Sequence, residues 1–274
     1  MPRLGVLGWP VAHSRSPAIH NAALAHLAMD GWRYQRLPVP PELFEETTRA
    51  LGPAGFLGAN VTIPHKQAAL ALADRASDAA LQIGAANTLT FAADGTIVAE
   101  NTDAPGLIAA LERSPRGMRA LVLGAGGSAR AVAWALREEG ASEVLVWNRT
   151  PERAEALARE LGVRAVAVPE AADLLVNCTA VGLEPLERSA SEPEGLNQLG
   201  LAFDQVGEYS YVVDLVYRAG CTPLLAAAQA HDVPTLDGLD VLVAQGALSF
   251  QLWTGQEPPL EAMRRAARDD EASD

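Results

Sequence analysis

The stretch LVLGAGGSARA, residues 121–131, constrains the fold more than any other part of the chain. Residues 119–124 form an apolar run that reads as a buried strand, and the Ala-rich run to residue 139 reads as a helix. The glycines therefore fall at a strand-to-helix turn, spaced G-x-G-x-x-A over Gly124, Ala125, Gly126, Gly127, Ser128 and Ala129. Gly124 permits the tight turn, and Gly126 lets a pyrophosphate approach the backbone. A small residue at Ala129 lets helix and strand pack closely, while the helix N-terminus offers free N–H groups and a positive dipole end. An ordinary glycine turn is the competing reading of the loop alone. The strand before it and the helix after it favour a dinucleotide site.

The next strand, residues 143–147, ends in Asn148-Arg149-Thr150, about 20–25 residues beyond the glycines, where NAD-specific folds place an acid on the ribose 2′-hydroxyl. An arginine there suits a 2′-phosphate, which it grips bidentately, and Arg153 lies one turn on. Thr150 and Pro151 also suit an N-cap and N1, with Arg149 a surface charge. The two uses are compatible, and the basic end favours NADP over NAD.

Strand and helix patterns alternate along most of the chain, so the fold class is α/β. Strands are expected over residues 4–8, 33–39, 56–63, 87–91 and 96–100, the last two joined by the turn at Ala93-Asp94-Gly95. Helices are expected over 17–29, 41–51, 67–76 and 105–113. Beyond the glycine loop, 151–161 reads as helix, 171–177 and 211–216 as strands, and 239–253 and 259–268 as C-terminal helices. Residues 184–210 read as a polar loop or short-helix excursion. With 274 residues, a net charge of −13 and 49% hydrophobic residues, the chain can build one large or two ordinary cores. Its acidity argues against nucleic acid, and no apolar run reaches the ~18–20 residues of a membrane span. The N-terminus lacks a leader's apolar stretch, and the polar tail RRAARDDEASD, residues 264–274, is expected to fray. Cys178 and Cys221, the two cysteines, make neither a disulfide framework nor a zinc site; they are expected reduced, in the cytoplasm. The histidines show no metal spacing, so no metal is expected.

Polar residues gather at element ends in the first hundred residues. HSRSP, 13–17, places Ser14 and Ser16 two apart, both facing one way if extended, although Ser16 before Pro17 also suits an N-cap. NVTIPHK, 60–66, brings Thr62 to a strand end and Lys66 to a helix start, where a cation opposes the helix dipole. GAANT gives Asn87 and Thr88, and NTD gives Asn101, Thr102 and Asp103; Asp103 also suits a cap for the helix after it. Hydroxyls, amides, one lysine and one aspartate beside a dinucleotide domain suit a polyhydroxylated, anionic ligand.

Taken with NTDAPG, LGAGGSAR, WNRTPERA, DLVY (214–217) and AQGALSFQLWTG (244–255), these motifs resemble the shikimate dehydrogenase family over nearly the whole chain. The resemblance implies a two-domain enzyme. An N-terminal α/β substrate domain, residues 1–102 with 237–274, would accompany a Rossmann-type doubly wound NADP domain, residues 103–236. It implies cytoplasmic reduction of 3-dehydroshikimate to shikimate with NADPH, by a monomer or homodimer. Lys66 and Asp103 match the family's catalytic pair. Ser14, Ser16, Thr62, Asn87, Tyr217 and Gln245 match substrate positions, with Asn101 a weaker match. The glycine loop, Asn148, Arg149, Thr150, Arg153 and Gly238 match NADP positions. Ala86, Ala180 and Val241 depart from the usual pattern without removing a titrating group. A quinate-using relative would prefer NAD and carry an acid in place of the basic NRT end. A regulator that had lost catalysis would not need both Lys66 and Asp103.

Overall fold

In the computed structural model, which describes residues 1–183, 192–218 and 220–269, two six-stranded sheets organise the chain. Residues 184–191 and the tail beyond 269 lie outside the described residues, so the readings of those stretches do too. The chain divides into two compact units, residues 1–106 with 242–274, and residues 107–241.

The first unit contains β1 (Arg3–Gly8), α1 (Ser16–His26), β2 (Arg33–Pro38), a 3-10 turn (Pro41–Leu43), α2 (Phe44–Leu51), β3 (Phe56–Val61) and α3 (Lys66–Leu72). It continues with β4 (Arg75–Ala76), α4 (Asp78–Ile83), β5 (Thr88–Phe91), β6 (Ile97–Glu100) and the start of α5 (Asp103–Ala110). Its sheet runs β2-β1-β3-β5-β6-β4, with β2, β1 and β3 parallel and the β5–β6 hairpin antiparallel to β3. Alternate side chains of β1 serve two cores. Leu7 packs with Phe44 and Leu51 of α2 and Leu72 of α3, whereas Leu4 and Val6 join Tyr34 and Trp253. Gly58 is a glycine because a Cβ there would lie 2.1 Å from the Trp253 indole nitrogen.

The second unit holds β7 (Arg119–Leu123), α6 (Gly127–Glu138), β8 (Glu143–Trp147), α7 (Pro151–Leu161), β9 (Arg164–Ala165) and β10 (Leu174–Asn177). It continues with α8 (Glu192–Gln198), α9 (Phe203–Val206), β11 (Tyr211–Asp214), α10 (Pro223–Ala230), β12 (Thr235–Leu236) and the start of α11 (Gly238–Thr254). The rest of α11 and α12 (Leu260–Arg268) belong to the first unit. All strands of the second unit are parallel, in the order β12-β11-β10-β7-β8-β9, the doubly wound arrangement whose switch point falls between β7 and β10. The middles of β7, β8, β10 and β11 are apolar because both faces of the sheet are covered. Ala120, Val122 and Val176 pack against α6 and α7, and Leu121, Leu123 and Leu175 pack against α8 to α10.

Several expectations are corrected. Residues 41–51 divide into a 3-10 turn and a shorter helix. Residues 75–76 pair as β4 instead of continuing α3, and α4 follows, capped by Ser77 and stopped by Gly84 in the left-handed region. The strands β4, β9 and β12 have two residues each, too few to show a period. Arg15 sits in helical backbone, so Ser14 and Ser16 do not alternate along an extended segment.

Candidate active site

Lys66 is the first residue of α3 because the chain before it is anchored on both sides. The Thr62 N–H donates to the Leu7 carbonyl at 2.8 Å, and the Thr62 carbonyl accepts from His65 N–H. The His65 ring stacks on Phe44 and bonds the Val39 carbonyl at 2.7 Å. Burial, opposed by that bond, lowers its pKa, so His65 is a neutral anchor. Lys66 Nζ then donates to Asp103 Oδ2 at 2.6 Å, with the two side chains 11% and 17% exposed. No acid in the first turn of α3 offsets the lysine; Asp103, from α5, does.

Asp103 is free for this because Asn101 caps α5. Asn101 Oδ1 accepts the Ala104 N–H at 3.1 Å, and its Nδ2 donates to the Ala85 carbonyl. The capping reading of Asp103 is therefore corrected. The other Asp103 oxygen accepts from Asn87 Nδ2 at 2.8 Å. Gln245 of α11 brings its Oε1 to within 3.1 Å of the same Asn87 nitrogen, and its own Nε2 is held by the Leu242 carbonyl. That approach needs Gly106, where a Cβ would lie 2.6 Å from Gln245 Cβ.

Ser14 and Ser16 are both buried. The N-cap reading of Ser16 is corrected, because Arg15 occupies the N-cap of α1. Ser16 lies inside α1 and caps nothing, whereas Ser14 Oγ accepts the Ser16 N–H at 3.3 Å. Arg36 grips the Ser14 carbonyl with Nε and Nη2 at 3.1 and 2.9 Å. Lys66, Asp103, Asn87, Asn101, Thr62, Ser14, Ser16 and Gln245 thus all lie in the first unit. Tyr217 lies in the second, just after β11, as do Gly238 and the other expected cofactor positions.

Sequence reasoning gathered Thr88 and Thr102 into the polar cluster without a specific role, and named none of Asn60, Tyr34 or Arg36 as a site residue. Asn60 accepts from the Tyr34 hydroxyl at 2.7 Å and donates to Thr88 Oγ1 at 3.1 Å. Thr102 donates its N–H to Asn87 Oδ1 at 2.7 Å. Three of these lie inside the motifs NVTIPHK, GAANT and NTD, and their adjacency to Asn87, Thr62 and Asp103 was the available signal.

In the second unit the glycine loop follows β7 at the switch point. Gly124 has φ +110°, and a Cβ there would lie 3.3 Å from the Cys178 carbonyl and from Thr179 Cγ2. Gly126 is the extended N-cap of α6, and a Cβ there would meet nothing within 4 Å, so the backbone is open to a ligand. Gly127 and Ser128 begin the helix, whose first turn contains no acid, and Ala129 is fully buried in the core. Beyond β8, Asn148 Nδ2 donates to the Thr150 carbonyl at 2.9 Å. Thr150 occupies the N-cap of α7, yet its hydroxyl makes no cap bond. Arg149 and Arg153 are exposed and form no ion pair among the described residues. An open N–H cradle with two unpaired guanidiniums at the neighbouring strand end fits a dinucleotide bearing a 2′-phosphate. Gly238 has a different reason to be glycine, since a Cβ would lie 2.4 Å from the Leu215 carbonyl oxygen. Among the described residues, no helix is long and apolar enough to cross a membrane, no His/Cys/Asp/Glu cluster could hold a metal, and Cys178 and Cys221 form no disulfide.

Residues 6–89 match the model of the shikimate dehydrogenase substrate binding domain, residues 109–181 that of shikimate / quinate 5-dehydrogenase, and residues 238–268 that of the shikimate 5′-dehydrogenase C-terminal domain. The chain is 47% identical over 276 residues to a shikimate dehydrogenase (NADP(+)) of Thermus thermophilus, covering 98% of each. It is 43% identical over 279 residues to that of Paracoccus denitrificans, covering 97% of this chain and 95% of the relative. A crystal structure of Thermus thermophilus shikimate 5-dehydrogenase in complex with NADP(H) and shikimate superposes with a TM-score of 0.86 at 45% identity, covering 98% of this chain and 99% of that one.

Proposed function

The chain belongs to the shikimate dehydrogenase family, and on that premise we propose that it catalyses the reversible, NADP-linked reduction of 3-dehydroshikimate to shikimate, a step toward the aromatic amino acids. The observation that carries the reading is the 2.6 Å pair of Lys66 and Asp103, shielded but open at its edge and flanked by amides. The first unit is the substrate domain, with Ser14, Ser16, Thr62, Asn87 and Gln245 its binding residues; Asn101 contributes chiefly by capping α5. Tyr217, in the second unit, is a further substrate-binding residue. That unit is the NADP domain, with Gly124 to Ala129 holding the pyrophosphate and Asn148, Arg149, Thr150 and Arg153 the 2′-phosphate end. Gly238 shapes the same unit through its backbone.

Bound NADPH supplies the hydride that reduces the C3 carbonyl. The chain's own task is the negative charge that develops on the carbonyl oxygen as the hydride arrives. Lys66 presents an ammonium to that oxygen and gives it a proton, leaving the hydroxyl of shikimate and a neutral amine that solvent recharges. Asp103 aims the lysine before the step. In oxidation the neutral amine takes the hydroxyl proton. The chemistry calls on small molecules alone, so a monomer or a homodimer would serve, and a cytoplasmic setting suits two cysteines outside any disulfide.

Absorbance at 340 nm with shikimate or quinate, and NADP or NAD, tests the reading. Rapid NADP reduction with shikimate is the expected result. Turnover that prefers NAD or quinate would overturn it and discredit the role given to Arg149.

A further inference from the structure

Asn87 has two amide hydrogens, and its Nδ2 lies near three acceptors: Asp103 Oδ1 at 2.8 Å, Thr102 Oγ1 at 2.9 Å and Gln245 Oε1 at 3.1 Å. Its Oδ1 accepts the Thr102 backbone N–H at 2.7 Å and lies 3.2 Å from the hydroxyls of Thr88 and Thr102. A backbone N–H only donates, so the amide orientation is determined. Turned over, it would set its NH₂ against the Thr102 N–H and its oxygen against the Asp103 carboxylate. Behind Asn87, Asn60 donates to the Asn87 carbonyl at 3.2 Å and to Thr88 at 3.1 Å. Asn60, Asn87 and Thr88 are each at most 4% exposed, so water does not compete for these bonds.

We propose that Asn87 is a positioning residue for Asp103: it holds one carboxylate oxygen by an N–H donor, so that the other oxygen meets Lys66. The amide's hydrogen-bonding capacity is largely used within the protein, which gives it a task that substrate contact alone does not describe. The inference rests on the reading of Lys66 and Asp103 as the catalytic pair. The groups that face this site are identifiable. Lys66 of α3 meets Asp103 directly, whereas Gln245 of α11, Thr88 of β5 and Thr102 before α5 are neutral. Behind Asn60 stand Tyr34 of β2 and His20 of α1, stacked at 4.2 Å, and burial lowers the His20 pKa to about 3, so that ring is uncharged.

The test is the pH profile of kcat/KM for shikimate in Asn87→Asp, an isosteric change that sets a second carboxylate against Asp103. Two carboxylates in contact resist ionising together, so the acid-side loss of activity moves to higher pH by about one unit or more. Asn87→Ser removes the donor without adding charge, moves the limb the same way by less, and decides the matter if the first variant does not fold. A residue that only touched substrate would raise KM and leave the limb in place. Superimposed profiles in either folded variant, whatever the KM, overturn the proposal. The underlying reading fails separately, if Lys66→Ala retains wild-type kcat.

Discussion

Lys66 and Asp103 meet because neighbouring residues take the structural work that either could have done. Asn101 caps α5, which leaves Asp103 its carboxylate, and His65 anchors the start of α3, which leaves Lys66 its ammonium. Replacing Asn101 with Ala therefore removes a cap and a buried bond to Ala85, at a cost of about 1–2 kcal/mol in denaturant unfolding. An unchanged midpoint would contradict the capping role. At the other site, Arg149 stands exposed just after β8, with no acid paired to it among the described residues. Arg149→Ala should raise the KM for NADP by about tenfold to a hundredfold, the loss of a charge-assisted bond, while leaving that for NAD nearly unchanged. Equal effects on both cofactors would deny the residue a 2′-phosphate. These residues were legible because each sits in a short motif at an element end. The Ser14 and Ser16 assignments were less so, because whether a serine caps a helix depends on where the helix starts, and α1 begins one residue earlier than Pro17 suggests.

At the level of elements, the glycine loop separates two demands that a sequence pattern merges. Gly124 is required by its backbone, with φ +110° and the β10 exit packed against it, whereas Gly126 faces open space. Gly124→Ala should destabilise the protein by about 1–3 kcal/mol. Gly126→Ala should leave the unfolding midpoint nearly in place and weaken NADPH binding in a fluorescence titration. A reversal of the two effects would refute this division. The β7–loop–α6 unit could be read from sequence because its apolar strand, glycines and Ala-rich helix are contiguous. The contact of Gln245 with Asn87, 158 residues apart, could not, because no local period specifies that α5 and α11 cross at Gly106. The two-residue strands escaped for a related reason, since only their neighbours in the sheet define them.

Across the whole molecule, the alternating strands and helices made the α/β class readable, while the division inside α5 and α11 followed from packing alone. The second unit also carries a stored cost. Asp214 is fully buried at the end of β11, and its partners are neutral: the Thr222 hydroxyl at 2.7 Å, the Val216 N–H at 3.0 Å and Asn177 Nδ2 at 2.9 Å. Burial, only partly offset by these bonds, raises its pKa from 3.8 to about 6. The folded value lies above the unfolded one, so the contribution to stability is full below about pH 4 and is lost as pH rises through about 6. Between pH 4 and pH 8, wild type should lose roughly 3 kcal/mol of unfolding free energy relative to Asp214→Asn. Parallel pH curves would contradict that. The central claim concerns the first unit, and its most direct test is the rate of shikimate oxidation at 340 nm in Lys66→Ala with saturating NADP. The account predicts a kcat lower by about 10²–10⁴-fold with NADPH affinity retained; a wild-type kcat would contradict it.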